Sequence, residues 1–298
     1  MSNYHYVPQH FLRAWACDAE QNKIRAYQRI EQTGQVVAYL TKPRSIVSSA
    51  SQKNLYQITD GVETAEFETI IMTRDVDTPM CDVVLKLRSS GLSSLDQDEM
   101  VLLCRYVVIL EGRNPEVMKQ MQLSAADVGE IFADIEKNGS FSKGAIEDVR
   151  KLTEQMFAAS GAAATGAYAG FGHLPDAAAL MQKKCIEITR DDAKGFLTSN
   201  YPVGREKDFH DPNCLVTLAV SPTQALVFAN EMTCQTFSRS PRDELWRLID
   251  LQTLAKASCA FTLSARVDPF IERHLRWDQL REVARHDYFA CAMQSPYE

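Results

Sequence analysis

Four short stretches carry residues whose types and spacing suit chemistry. The first is His5-Tyr6-Val7-Pro8 near the amino terminus. Proline biases Val7 toward an extended conformation, so His5 sits on a held backbone and suits a general acid or base, or a metal ligand. Packing or capping at an edge strand is the competing reading. In the second stretch Glu66, Glu68 and Asp75 fall in a helical pattern. The seven-residue step from Glu68 to Asp75 is close to two turns, so both project from nearly one face, with Ile71 between them. Two carboxylates on a semi-apolar face suit a hard divalent metal or an acid–base pair; a solvated charged face is the plainer alternative.

The third stretch is Glu111-Gly112-Arg113-Asn114-Pro115. An arginine at a helix end is placed to grip a carboxylate or phosphate with two parallel hydrogen bonds. The helix C-terminus, Glu111 or Glu116 would occupy it equally well. The fourth runs from Gly195 to Val203, where an apolar strand delivers Thr198, Ser199 and Asn200 to a turn closed by Pro202. Such strand ends orient substrates, and the same residues are ordinary turn formers.

The elements that must position these groups alternate in period. Lys23–Arg29 and Gln35–Leu40 read as a hairpin about Thr33-Gly34, and Asn54–Ile58 as a further strand. A helical period runs from Thr64 to Arg88, with Pro79 expected to kink or divide it. Ser93-Ser94-Leu95-Asp96 caps a second helix over Gln97–Gly112, with Leu102, Leu103, Tyr106, Val107 and Leu110 inward. Further helices are expected at Ala125–Lys137 and Gly144–Ala159, then a small-residue segment, Ala158–Gly172, read as a close-packed helix or a mobile lid. Strands at Cys185–Thr189, Phe196–Ser199, Leu215–Val220 and Ala225–Ala229 suggest an antiparallel meander, followed by helices at Asp243–Ser258 and Asp268–Arg276. The class is α+β: N-terminal β-hairpin elements, a central helical bundle, a β meander and C-terminal helices. One large domain over residues 1–298 is expected, subdivided as 1–60, 61–183 and 184–298.

Composition narrows the function classes. The chain has 298 residues, 45% apolar and 24% charged, with a net charge of −7, so a broad nucleic-acid-binding surface is disfavoured. Eight scattered cysteines contain no CxxC pair, and MSNYHYVPQ lacks the basic and apolar regions of a signal peptide. Reduced, mostly buried thiols in a cytoplasmic protein follow as the expectation. No apolar run is long enough to span a bilayer. Phosphate-loop, dinucleotide, zinc-protease and nucleophile-elbow motifs are absent.

The order of HYVPQHFLRAW, Asn54-Leu55-Tyr56, Glu68…Asp75…Pro79, Arg113-Asn114-Pro115, Phe196–Val203 and Val220-Ser221-Pro222 resembles the bacterial domain-of-unknown-function family numbered 4238. Two departures stand out: the family usually has Ser-Asp at Ser199-Asn200 and Glu at Asp75. At His10 it more often carries an apolar or aromatic residue. The resemblance supplies no activity. It implies that His5, Glu68, Asp75, Arg113, Ser199 and Asn200 belong to one pattern.

Taken as one site, the residues point to a hydrolase acting on a phosphate-bearing substrate, a nucleotide or nucleic acid, of a kind suited to phage defence or a toxin. His5, Glu68, Asp75 and Arg113 would be catalytic. His5, Glu68 and Asp75 are the candidate ligands of a divalent metal, and Arg113, Ser199 and Asn200 would bind substrate. The alternatives are a non-catalytic sensor for an anionic ligand, and a purely structural pinning of the N-terminal segment. A shared site requires His5, Glu68 and Arg113 within about 12 Å of one another.

Overall fold

A computed structural model describes residues 3–32, 35–40, 43–53, 77–115 and 174–275. Its described elements are mixed helices and antiparallel strands, the α+β class expected. The strands are β1 (Asn3–His5), β2 (Lys23–Gln32), β3 (Gln35–Leu40), β4 (Arg44–Ser45), β5 (Ser51–Lys53), β6 (Lys184–Thr189), β7 (Thr198–Ser199), β8 (Val203–Arg205), β9 (Val216–Ser221), β10 (Gln224–Ala229) and β11 (Cys259–Thr262). The helices are α1 (Gln9–Leu12), α2 (Thr78–Ser90), α3 (Gln97–Gly112), α4 (Leu174–Met181), α5 (Glu231–Arg239), α6 (Arg242–Ala255) and α7 (Asp268–His274).

The hairpin forms as expected, with β2 and β3 paired from Tyr27↔Leu40 to Gln32↔Gln35. Its neighbour on the other side is β11, joined by register pairs from Cys259↔Gln28 to Thr262↔Arg25, and β7 follows in the order β3-β2-β11-β7. The C-terminal segment therefore completes a sheet begun by the N-terminal hairpin. A second sheet has the order β6-β10-β9-β8, and β1 pairs with β5 as a two-stranded ribbon.

One expectation changes here. The strands after residue 184 do not form one meander, because β7 leaves for the N-terminal sheet while β6 pairs with β10. Leu197 accounts for this: it is fully buried in a small cluster with Tyr27, Leu254 and Ala260, on the β2–β11 side. At Pro79, where a kink or a division was expected, the described helix begins: the proline lies in the first turn of α2, where its missing N–H costs nothing. Helix α5 was not anticipated; Asn230 caps it by accepting from the Thr233 N–H. The expected strand at Asn54–Ile58, the helix start at Thr64, the helices at 125–137 and 144–159 and the 158–172 segment lie outside the described residues.

Helix α3 begins at a full capping box. Asp96 accepts from the Glu99 N–H while the Glu99 carboxylate accepts from the Asp96 N–H. Its inward residues join a large core with β9, β10 and the first fifteen residues: Val7, Phe11, Leu12 and Trp15 are all fully buried. Trp15 also donates its indole N–H to the Phe196 carbonyl at 2.8 Å. Buried Asp250 of α6 accepts from Arg190 Nη1 at 2.7 Å and from the Leu197 N–H at 2.9 Å. That anchors α6 to the entry of β7.

Helix α6 approaches β8 so closely that a Cβ on Gly204 would lie 2.8 Å from the Gln252 Cβ and overlap the Thr217 hydroxyl. That hydroxyl donates to Gln252 Oε1. Gly204→Ala is therefore expected to lower stability by about 1–3 kcal/mol through overpacking, measured as a shift in the urea denaturation midpoint at unchanged slope.

Candidate functional site

The amino-terminal arm is a docked strand. Residues Asn3–His5 pair with Ser51–Lys53, and the Tyr6 and Val7 N–H groups both point to the Ala50 carbonyl, at 3.0 and 3.4 Å. Ala50 has φ +46°, an uncommon and strained conformation for a residue with a side chain. Pro8 then opens α1, its carbonyl accepting from Phe11 and Leu12.

His5 Nε2 lies 2.8 Å from the Val47 carbonyl oxygen. A carbonyl only accepts, so that nitrogen carries the proton, and in the neutral ring Nδ1 holds the lone pair. Burial lowers the His5 pKa below its ordinary 6.5; the Val47 hydrogen bond opposes this, the Arg113 charge adds to it and Asp77 opposes it. His5 is thus a neutral imidazole with a defined tautomer.

Arg113, just past the end of α3, is almost wholly buried. Its Nε donates to the Tyr6 carbonyl at 2.8 Å and its Nη1 to Asp77 Oδ1 at 3.0 Å. One guanidinium therefore joins the arm, the start of α2 and the end of α3. The neighbouring Asn114 donates from Nδ2 to the Asn200 carbonyl at 2.9 Å. Two residues before Arg113, the buried Glu111 carboxylate accepts from Tyr201 at 3.1 Å and from Arg205 Nε at 2.7 Å, with Lys256 Nζ at 3.5 Å. The His5, Arg113 and Ser199-Asn200 stretches, far apart in sequence, converge on one helix end. Glu68 and Asp75 lie outside the described residues.

Within the fourth stretch, the side chains of Ser199 and Asn200 bond to the protein itself. Ser199 Oγ donates to the Thr253 carbonyl and accepts from the Tyr201 N–H. Asn200 Oδ1 accepts from the Ser258 and Cys259 N–H groups, and its Nδ2 donates to Ser258 Oγ. The acceptor half of that arrangement is open to an aspartate as well, which gives a physical reason for either residue at this position. As described, Ser199 and Asn200 hold the turn that presents Tyr201 to Glu111.

Sequence reasoning missed Asp77, Arg88 and Tyr106. Arg88 stacks over Phe11 and donates to the carbonyls of His10, Phe11 and Val220, at 3.3, 2.9 and 2.7 Å. Among the described residues no carboxylate pairs with it, and burial lowers its pKa to about 10. His10 packs against Tyr106, whose hydroxyl is 3.5 Å from Nε2. Burial, then the charges of Arg113, Arg88 and Arg13, push the His10 pKa down to about 4. Asp77 had one available signal, an acid directly before Thr78-Pro79 at a helix start. Arg88 had none, since its partners are carbonyls from two distant segments. Among the described residues, no three of His, Cys, Asp and Glu come together as a group that could hold a metal ion.

Comparison with known proteins gives one family match. A family model described as "Protein of unknown function (DUF4238)" matches residues 3–236, more than half of the chain. The chain belongs to the DUF4238 family. No curated protein and no solved structure matches it. The DUF4238 match begins at the arm, takes in the Arg113 junction and the Ser199-Asn200 turn, and ends within α5.

Two outcomes follow. Because His10 stays neutral in the folded protein down to about pH 4, the unfolded chain takes up the proton first as pH falls below 6.5. Stability from this group is full above 6.5 and is lost between 6.5 and 4, by about 3 kcal/mol at most. Asp250, raised to about 6 by burial despite Arg190, acts with the opposite sign. The His10 share is therefore read by difference: His10→Phe should flatten the pH dependence of urea-derived stability over that window. Deleting residues 1–8 should cost about 3 kcal/mol or more, because it empties the Val7 slot and removes the Tyr6 carbonyl from buried Arg113. Equal denaturation midpoints for the truncated and full chains would contradict this.

Proposed function

We propose that this DUF4238 protein is a hydrolase acting on a phosphate-bearing substrate, a nucleotide or nucleic acid, at the junction of the arm with the end of α3. The supporting observation is His5: a neutral imidazole with its Nε2 proton committed to Val47 and its Nδ1 lone pair available as a proton acceptor. The charges of Arg13, Arg88 and Arg113 act together on neighbouring His10, and such a concentration of guanidinium favours phosphate. Glu68 and Asp75 enter as ligands of a divalent metal or as a base, on the strength of the family pattern. The free state of all seven described cysteines supports a reducing, cytoplasmic setting. Among the described residues no helix is long and apolar enough to cross a membrane.

One observation favours a second reading, a purely structural pinning of the N-terminal segment. Ser199 and Asn200 bond to groups within the protein, and Arg113 already serves Tyr6 and Asp77. Polar groups paired in this way hold the arm and the turn without a ligand.

The test is incubation of the full chain with nucleotides, RNA and single-stranded DNA, with and without Mg²⁺ or Mn²⁺, products being resolved by chromatography. His5→Gln keeps a donor for Val47 but removes the base, and should lower turnover about 100-fold or more at an unchanged melting temperature. Absence of product from both proteins would sink the hydrolase; with ligand-dependent thermal stabilisation it would point to an anion sensor, and without it to structural pinning.

A further inference from the structure

Away from the arm, a cavity of about 410 Å³ opens between the first turns of α3, the end of α4 and the strands β6 and β10. Its walls include Leu180 and Phe228, both fully buried, and its mouth carries the exposed Asp96 and Gln97. Four of its wall residues bear sulfur: Met100, Cys104, Met181 and Cys185. They come from two copies of one spacing, Met100-Val-Leu-Leu-Cys104 and Met181-Gln-Lys-Lys-Cys185. The first copy is a one-turn step along a single face of α3. The second spans the last residue of α4 and the second of β6. Two chain segments thus each supply a thioether and a thiol to one cavity.

We propose that this cavity is a binding site for a soft monovalent d¹⁰ cation, Cu(I), held by the Cys104 and Cys185 thiolates with the Met100 and Met181 thioethers. Thiolate and thioether are the donors that select Cu(I) over harder divalent ions. A Cu(I) ion binds to as few as two thiolates, so the absence of a three-member His, Cys, Asp or Glu group among the described residues argues against a zinc site and not against this one. Burial raises the pKa of both Cys104, to about 12, and Cys185, which favours their thiol forms in the free protein. Binding therefore releases two protons to solvent as two S–H bonds give way to two S–Cu bonds, with no change of oxidation state. The resulting bis-thiolate complex carries one negative charge. Lys183, a wall residue whose ammonium donates to the Asp211 carbonyl at 2.8 Å, is placed to offset it.

The reduced full chain, kept anaerobic, is titrated with Cu(I) against a chromophoric Cu(I) chelator. The wild type should withdraw a single equivalent. Met100→Leu with Met181→Leu keeps the apolar volume and should weaken capture by about tenfold or more, with near-UV circular dichroism reporting an intact core. Cys104→Ser with Cys185→Ser should abolish it. Should the serine pair fail to fold, the single variants Cys104→Ala and Cys185→Ala decide: each must lose capture while Cys17→Ser retains it. Wild-type affinity in the leucine pair, loss of capture in Cys17→Ser, or no capture at all overturns the proposal. Equal retention of an apolar fluorescent probe by the wild type and the leucine pair, without Cu(I) capture, makes the cavity an apolar-ligand site instead and overturns it too.

Discussion

A guanidinium buried at the end of α3 is the constraint on which the arrangement of the arm depends. Arg113 loses almost all of its water, and that desolvation is tolerable only if protein groups replace the solvent. The Tyr6 carbonyl and the Asp77 carboxylate do so, from opposite sides. Each tie constrains a different element: Tyr6 sets the height of the arm, and Asp77 sets where α2 starts. The polar groups next to them inherit their places. His5 is one residue from Tyr6, Asn114 is one residue from Arg113, and Glu111 lies on the last turn of the same helix.

Arg88 reinforces this from the opposite end of α2. Its three acceptors are carbonyl dipoles of α1 and β9, and dipoles stabilise a buried cation less fully than a carboxylate. Burial lowers the pKa of both His10 and His5, and the positive charge around them adds to that effect. Strain at Ala50, whose carbonyl receives the arm, lies in the same place. Concentration of desolvation, charge and backbone strain at one junction is how binding and catalytic sites are commonly built.

Much of this was legible in residue order, because it rests on local physics. The β2–β3 hairpin follows from alternation and a two-residue connection, and α3 from its capping box. His5 and Arg113 stood out because proline and a helix end restrict the backbone on which they sit. Long-range partners were not legible. Ser199 and Asn200 suited either a ligand or a turn, and only the positions of Thr253, Ser258 and Cys259 show which groups their side chains bond. β7 looked like a neighbour of β6, and its burial against Tyr27 and Leu254 sends it to the other sheet.

The sequence by itself determined the elements, the caps, the family pattern and the set of residues able to do chemistry, since these depend on neighbours a few positions apart. Tertiary structure alone decided that the N-terminal hairpin and the C-terminal strand share one sheet. It also decided that Asp77 meets Arg113, and that four sulfur-bearing residues line one cavity. These pairings are set by which buried surfaces fit together and which buried polar groups need partners, and a buried donor accepts any correctly placed oxygen regardless of its distance along the chain.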